Sequence, residues 1–182
     1  LQGANVVKPI AYLERKQGPF FYESIYITPY RSASLDVYDY IRQELDFCDK
    51  SFFVKKKKLA LELAINLAVL INSGYYTRDC KSQNFLVFFD NNSLDKISEV
   101  KLLDIEGVKK TQKKYDAIEK MMVKAAASVL CFGKVFITDY YRCFKEFCRL
   151  TDIDKKTQKK LFRKVSQKAI AARLTTLVDS VK

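Results

Sequence analysis

The chain has 182 residues, enough for one domain with a sizeable core, and a composition of 48% hydrophobic and 30% charged residues with only five Gly and three Pro excludes a disordered tail, a collagen-like repeat or a flexible linker. His is absent, which removes His-dependent triads, zincin-type metal sites and imidazole proton shuttles. The five Cys form no CxxC pair, so they point to a reducing compartment and not to a disulfide framework, and the expected class is a soluble, intracellular, globular domain.

The formal net charge is +12, unevenly spread: residues 1–90 carry +2 and residues 91–182 carry +10. A field of that size attracts polyanions such as nucleic acid, acidic lipid headgroups or phosphorylated glycans, without choosing among them. No aromatic–basic interleaved sheet of the kind RNA readers use is visible, so nucleic acid is not an expected partner. No apolar run reaches the length of a membrane span, and no signal peptide is visible. The chain opens on Leu1 with a strand-like pattern at once, and reads as a piece of a longer protein.

In chain order, residues 6–13 and 23–30 are β-rich, with Gln17-Gly18-Pro19 between them as a turn signal, and predict a hairpin. Ser34-Leu35-Asp36 can cap a helix reaching Leu45, with Leu35, Tyr38, Ile41 and Leu45 at helical spacing. The clearest helix spans residues 53–72, where Leu59, Leu63, Leu67 and Leu70 share a side and Ile65, Ala68 and Val69 widen it until burial is nearly all round; Gly74 ends it. Its Lys55–Lys58 run reads as a solvated first turn. After a polar loop, residues 85–89 read as a buried strand, residues 90–93 as a turn and residues 100–103 as a second strand. Helices are expected at 113–133, 137–149 and 155–178, separated by Gly133 and Thr151-Asp152. In the last of them Lys155-Lys156, Lys159-Lys160 and Arg163-Lys164 form a basic stripe usable on anionic lipid.

The stretch that carries chemistry lies between the buried helix and the strand at Phe85: Thr77-Arg78-Asp79-Cys80-Lys81-Ser82-Gln83-Asn84. An Asp followed five residues later by an Asn, between a core helix and a buried strand, can turn two polar side chains into one cleft. Asp104 then ends the next strand with a carboxylate. These are one base candidate and two oxygen ligands, the donor type of a hard cation that takes its remaining ligands from phosphate and water. Phosphoryl transfer uses such a set: an acceptor-orienting Asp, metal ligands and a cation near the transferring phosphate. Cys80, with neither a His nor a helix N-terminus to lower its pKa, reads as a small packed residue.

Residues 77–84 resemble the catalytic loop of protein-kinase-like enzymes, H-R-D-x-K-x-x-N, with Thr77 in the first position, and Leu103-Asp104-Ile105-Glu106-Gly107 resembles the segment whose Asp holds Mg²⁺. The wider sequence is similar to bacterial lipopolysaccharide kinases of the Kdo/WaaP type. Ser24-Ile25-Tyr26-Ile27-Thr28-Pro29-Tyr30 followed by Ser34-Leu35-Asp36 resembles that family's hinge strand and the helix after it, and Gly74-Tyr75-Tyr76-Thr77-Arg78-Asp79-Cys80 resembles its approach to the active loop. Two positions depart from the pattern, Thr77 for His and Ile105 for Phe or Leu. A Gly-rich loop, an ATP-contacting strand Lys and its partner Glu are not in the chain.

The resemblance implies an α+β, protein-kinase-like fold, mainly helical with a small β-hairpin component and with the N-terminal lobe largely missing: residues 1–32 as a hinge-side β segment and residues 33–182 as the C-terminal lobe. It implies Asp79 and Lys81 as catalytic residues, Asn84 and Asp104 as Mg²⁺ ligands at the nucleotide phosphates, and Ile27 and Thr28 as backbone contacts to the adenine of ATP. For the longer parent protein it further implies ATP- and Mg²⁺-dependent transfer to a sugar hydroxyl, Kdo or heptose, of the lipopolysaccharide inner core, at the cytoplasmic face of the inner membrane, while the chain alone is expected to bind ATP poorly and turn over little or nothing. A kinase acting on protein or another small molecule, and a catalytically dead module on anionic surfaces, are the alternatives.

Overall fold

Local sequence sets up most of the elements, and the computed structural model describes them over residues 6–18, 20–29, 34–90, 93–130 and 132–179. Strands β1 (Ala11–Gln17) and β2 (Phe20–Ile27) pair antiparallel through Gly18, whose φ of +62° suits glycine. The first strand begins later than its β-rich sequence predicts. Pro9 has no N–H to give a ladder, and the residues before it leave the hairpin: Val6 bridges Leu102 in parallel, and Val7, buried, donates its N–H to Leu102 O at 3.0 Å. The predicted second strand ends early, at Ile27, with Tyr30 outside the described residues.

Ser34–Asp36 is a short strand, β3, and Asp36 also caps helix α1 (Val37–Gln43), its Oδ1 accepting from Asp39 N at 2.8 Å. Helix α1 stops short of Leu45, which is nevertheless fully buried. Helix α2 (Phe52–Asn72) is the central element, burying Leu59, Ala64, Leu67, Ala68 and Leu70. Ser51 precedes it without a side-chain cap of its own; the Asp49 carboxylate accepts from Ser51 N and Oγ, each at 2.7 Å, and from Lys55 Nζ at 2.8 Å. The helix terminates at Gly74, at φ +79°.

The lysine run at the start of α2 is not a solvated turn throughout. Lys56 is only 4% exposed, with its ammonium ion-paired to Asp139 and lying 4.0 Å from the Phe136 ring centroid and 4.6 Å from that of Phe52. Helical spacing buries this lysine against helix α4 (Ile137–Leu150), which packs along α2, whereas Lys57 lines an open groove between the same two helices.

After α2 come β4 (Tyr75–Thr77), a single 3₁₀ turn (Ser82–Asn84), and strands β5 (Phe85–Asp90) and β6 (Ser93–Leu102). Strands β3, β5 and β6 form one antiparallel sheet in that order, with Val87 opposite both Leu35 and Val100. The buried Asn66 of α2 fastens this sheet by donating Nδ2 to Val100 O at 2.7 Å. Strand β7 (Val108–Lys110) pairs with β4, Thr77 opposite Val108. Neither β4 nor β7 is legible in the sequence, since each has three residues and needs the other to exist. Helices α3 (Lys114–Val129), α4 and α5 (Lys155–Asp179) match the expected ones within a few residues. Phe85 is buried, whereas Phe88 and Phe132 are half-buried, the latter standing edge-on to Tyr38 at 4.7 Å.

Candidate active site

The 77–84 loop is fixed from three sides. On the β4 side, Thr77 is buried and donates its N–H to Met121 Sδ at 3.4 Å. Its hydroxyl accepts from Asp79 N at 3.2 Å, closing a short side-chain turn that a Thr two residues before an Asp can form. On the helical side, Ser82 donates its N–H to Ser128 Oγ at 3.0 Å, and that hydroxyl donates on to Ala125 O at 2.8 Å. On the third side lies the turn after Asp104: Arg78 N–H donates to Gly107 O at 2.8 Å. Gly107 is buried, and a Cβ there would stand 3.1 Å from Thr77 Oγ1 and 3.4 Å from Asp79 N, so a side chain would require Thr77 to give by a few tenths of an ångström.

Within the loop, Asn84 donates Nδ2 to Asp79 O at 2.8 Å and to Asp79 Oδ2 at 3.2 Å, while Lys81 N–H also donates to Asp79 O at 2.9 Å. Lys81 Nζ lies 3.1 Å from Asp79 Oδ1 and 3.2 Å from Oδ2. Asp79, Lys81 and Asn84 are thus brought together. A second ammonium, Lys124 of α3, approaches Asp79 Oδ1 at 3.7 Å. It is 45 positions away in sequence, and only its helical spacing in α3 points to the face it occupies.

Burial pushes the Asp79 carboxyl up, but the hydrogen bond and charge of Lys81, the amide of Asn84 and the charge of Lys124 together outweigh it and hold the group below its ordinary value. Asp79 is therefore ionised at neutral pH. The neighbouring Cys80 is fully buried, and desolvation foremost pushes its thiol up, which makes it the packed residue the sequence suggests.

Asp104 joins this group through the backbone. Leu103 N–H donates to Asn84 O at 2.9 Å, one residue beyond the Phe85–Leu102 pair, so the loop's last residue and the end of β6 lie side by side. The half-buried Asp104 accepts Glu106 N–H at Oδ1, 2.9 Å, which leaves Oδ2 as the oxygen for another partner. Asn84 and Asp104 supply hard oxygen donors of the kind Mg²⁺ takes. Among the described residues no cluster of three or more His, Cys, Asp or Glu could hold a metal alone, so phosphate and water would have to complete the shell.

Ile27 and Thr28 lie at the end of β2, Ile27 exposed and Thr28 half-buried, and Ile27 O already accepts Ile10 N–H at 2.8 Å. Among the described residues no hydrogen bond links either of them to the 77–84 loop. Behind Cys80 and Ser82, a cavity of about 80 Å³ with almost wholly apolar walls opens between α1, α2, α3 and α4, lined among others by Ile41, Leu59, Leu67, Met122 and Tyr140. No helix of the described residues is long and apolar enough to cross a membrane.

No protein-family model matches the chain, and neither does any curated protein. Among solved structures the chain is similar to WaaP in complex with acyl carrier protein, with a TM-score of 0.72 and 19% identity, over 93% of this chain and 70% of that one. At that identity the likeness is one of fold: an α+β, protein-kinase-like fold, as the motifs imply. Covering 93% of the chain, it takes in basic helices beyond residue 110, past the last of the motifs that carry the sequence resemblance.

Proposed function

We propose that the protein is a phosphotransferase that moves the γ-phosphoryl group of ATP to a sugar hydroxyl of the lipopolysaccharide inner core. The acceptor oxygen attacks the γ-phosphorus, the bond to the β–γ bridging oxygen breaks with its electron pair leaving on ADP, and the hydroxyl proton passes to the Asp79 carboxylate. The observation that carries this reading is the Asn84 amide, which spans the backbone and carboxylate of Asp79 at 2.8 and 3.2 Å. With Nδ2 so engaged, Asn84 keeps its carbonyl oxygen for a cation. Asn84 and Asp104 would hold Mg²⁺, which would offset charge on the transferring phosphate. Lys81, within reach of Asp79 and more than half exposed, supplies a cation for the same phosphate. The backbone of Ile27 and Thr28 would meet the adenine, with the Ile27 carbonyl already engaged by Ile10 N–H.

A division of the chain near residue 32 belongs to the same reading, supported by β1 and β2 pairing with each other and β3 with β5. A place at the cytoplasmic face of the inner membrane is supported by the exposed basic stripe Lys155, Lys156, Lys159, Lys160 and Arg163. We also infer an acyl carrier protein as a partner of the kind seen with WaaP, supported by the net charge of +12.

The test is transfer of labelled γ-phosphate from Mg-ATP to a dephosphorylated lipopolysaccharide core, beside a generic protein acceptor, with Asp79→Asn as control. Label on the glycolipid that vanishes in the variant supports the sugar-kinase reading. Label on protein alone keeps the chemistry and moves the substrate. Absence of label from a folded sample favours a binding module on anionic surfaces.

A further inference from the structure

Lysines four residues apart on a helix share a face, and α3 carries Lys120 and Lys124 at that spacing beside Glu119 and Val123. This face closes a groove of about 370 Å³ whose remaining walls are Tyr76, Arg78 and Lys168 of α5. Lys124 forms the end nearest the site, 3.7 Å from Asp79 Oδ1 with its side chain half exposed. The groove's own carboxylate, Glu119, is occupied twice over: Lys164 Nζ reaches Oε2 at 2.6 Å and Lys168 Nζ reaches Oε1 at 2.5 Å. Arg78 and Lys120 have no ion-pair partner among the described residues, and both are exposed. Asp116, near Lys164, lies on the neighbouring stretch of surface, where Lys110 and Lys113 continue the positive charge past Tyr76 and Lys120.

Arg78 and Lys120, without an ion-pair partner among the described residues, line one groove with Lys124, whose one carboxylate is Asp79, so the groove gathers like charges that an anion would join. We propose that this groove binds an oxyanion, phosphate or carboxylate, carried by the acceptor itself about one sugar ring from the hydroxyl that is phosphorylated. Arg78, Lys120 and Lys124 are then specificity-determining residues that select acidic over neutral acceptors. The inference rests on the phosphotransferase reading for the role of the bound group, and on the groove alone for its binding. Glu119 acts on it from behind, drawing Lys164 and Lys168 of α5 to its edge.

The experiment has a binding arm and a transfer arm. In the binding arm the protein is titrated with a monosaccharide phosphate, a sugar acid and a neutral sugar of matched size, at low and high salt. The expected result is that the two acidic sugars bind, more weakly at high salt, and the neutral sugar does not. The double variant Arg78→Gln/Lys120→Gln should weaken acid binding about tenfold or more, whereas Lys57→Gln, an equal loss per site on the exposed side of α2, should not. Whichever acid binds more tightly identifies the natural group. Equal binding of acidic and neutral sugars, or an equal effect of Lys57→Gln, overturns the proposal. In the transfer arm, the double variant should raise KM for an acidic acceptor with little change in kcat. An unchanged KM in an active enzyme overturns the groove while leaving the phosphotransferase reading intact. Acid-selective binding with no transfer to any acceptor supports the groove and counts against that reading.

Discussion

Lys56 of α2 and Asp139 of α4 form an ion pair from which water is almost excluded, at 2.5 Å, between the two helices that pack most extensively on each other. Asp139 serves three groups at once. Besides Lys56 it accepts Phe136 N–H at 3.0 Å, which caps α4, and Arg142 Nη1 at 2.9 Å.

The two partners should therefore respond unequally to removal. Asp139→Ala leaves a buried ammonium with only aromatic faces for company and strips α4 of its cap, a cost of about 3–5 kcal/mol. Lys56→Met keeps the volume and leaves Asp139 bound to Phe136 N–H and Arg142, so its cost should be smaller, about 1–2 kcal/mol or less. Urea unfolding of both variants measures the difference, and equal losses would refute the asymmetry.

Gly107 should tolerate no side chain without cost. An added methyl meets Thr77 Oγ1 at 3.1 Å and the backbone at Asp79 N at 3.4 Å, and Thr77 is buried, so neither neighbour withdraws freely. Gly107→Ala should destabilise by about 1–3 kcal/mol. It should also loosen the Thr77–Asp79 turn, seen as faster amide exchange at Asp79. A stability at or above wild type would show that the turn can give way.

Asp79 should titrate below its ordinary carboxylate value, because Lys81, Asn84 and Lys124 favour the charged form over the opposing effect of burial. A depressed carboxylate stabilises the fold above its unfolded pKa, and that contribution is lost as pH falls through the folded value. The half-buried Asp49, lowered to about 2 by Lys55 and Ser51, acts in the same direction. Carboxyl NMR should show the Asp79 midpoint move up in Lys81→Gln. Asp49→Asn should flatten part of the stability loss on going from about pH 4 to pH 2.

Thiol labelling of the native protein should be ordered by burial. Cys48 is exposed and should react first, while Cys80 and Cys148 are buried and should react only on unfolding. Desolvation pushes the Cys143 thiol up to about 12, so it too should lag Cys48. Mass-spectrometric timing of each site checks this; early modification of Cys80 would mean that the 77–84 loop opens readily.

Much of the candidate site was legible before any fold was known. The five-residue interval from Asp79 to Asn84 is local, so the loop that joins them through the Asn84 amide is written in consecutive residues, as is the turn that follows Asp104. The same holds for α2, whose apolar residues recur at helical spacing and are buried accordingly. Periodicity and loop spacing survive because they depend on backbone geometry that neighbours in sequence already determine. What the chain alone could not reveal involves residues distant in sequence: Lys124 beside Asp79, Ser128 holding Ser82, Lys56 under Asp139, and Val6 paired with Leu102 instead of extending β1. A lysine in a run of four carries the same local signal whether it faces water or a carboxylate. Only the packing of α4 over α2 decides that Lys56 is desolvated, because the field at a charge is set by everything that closes around it.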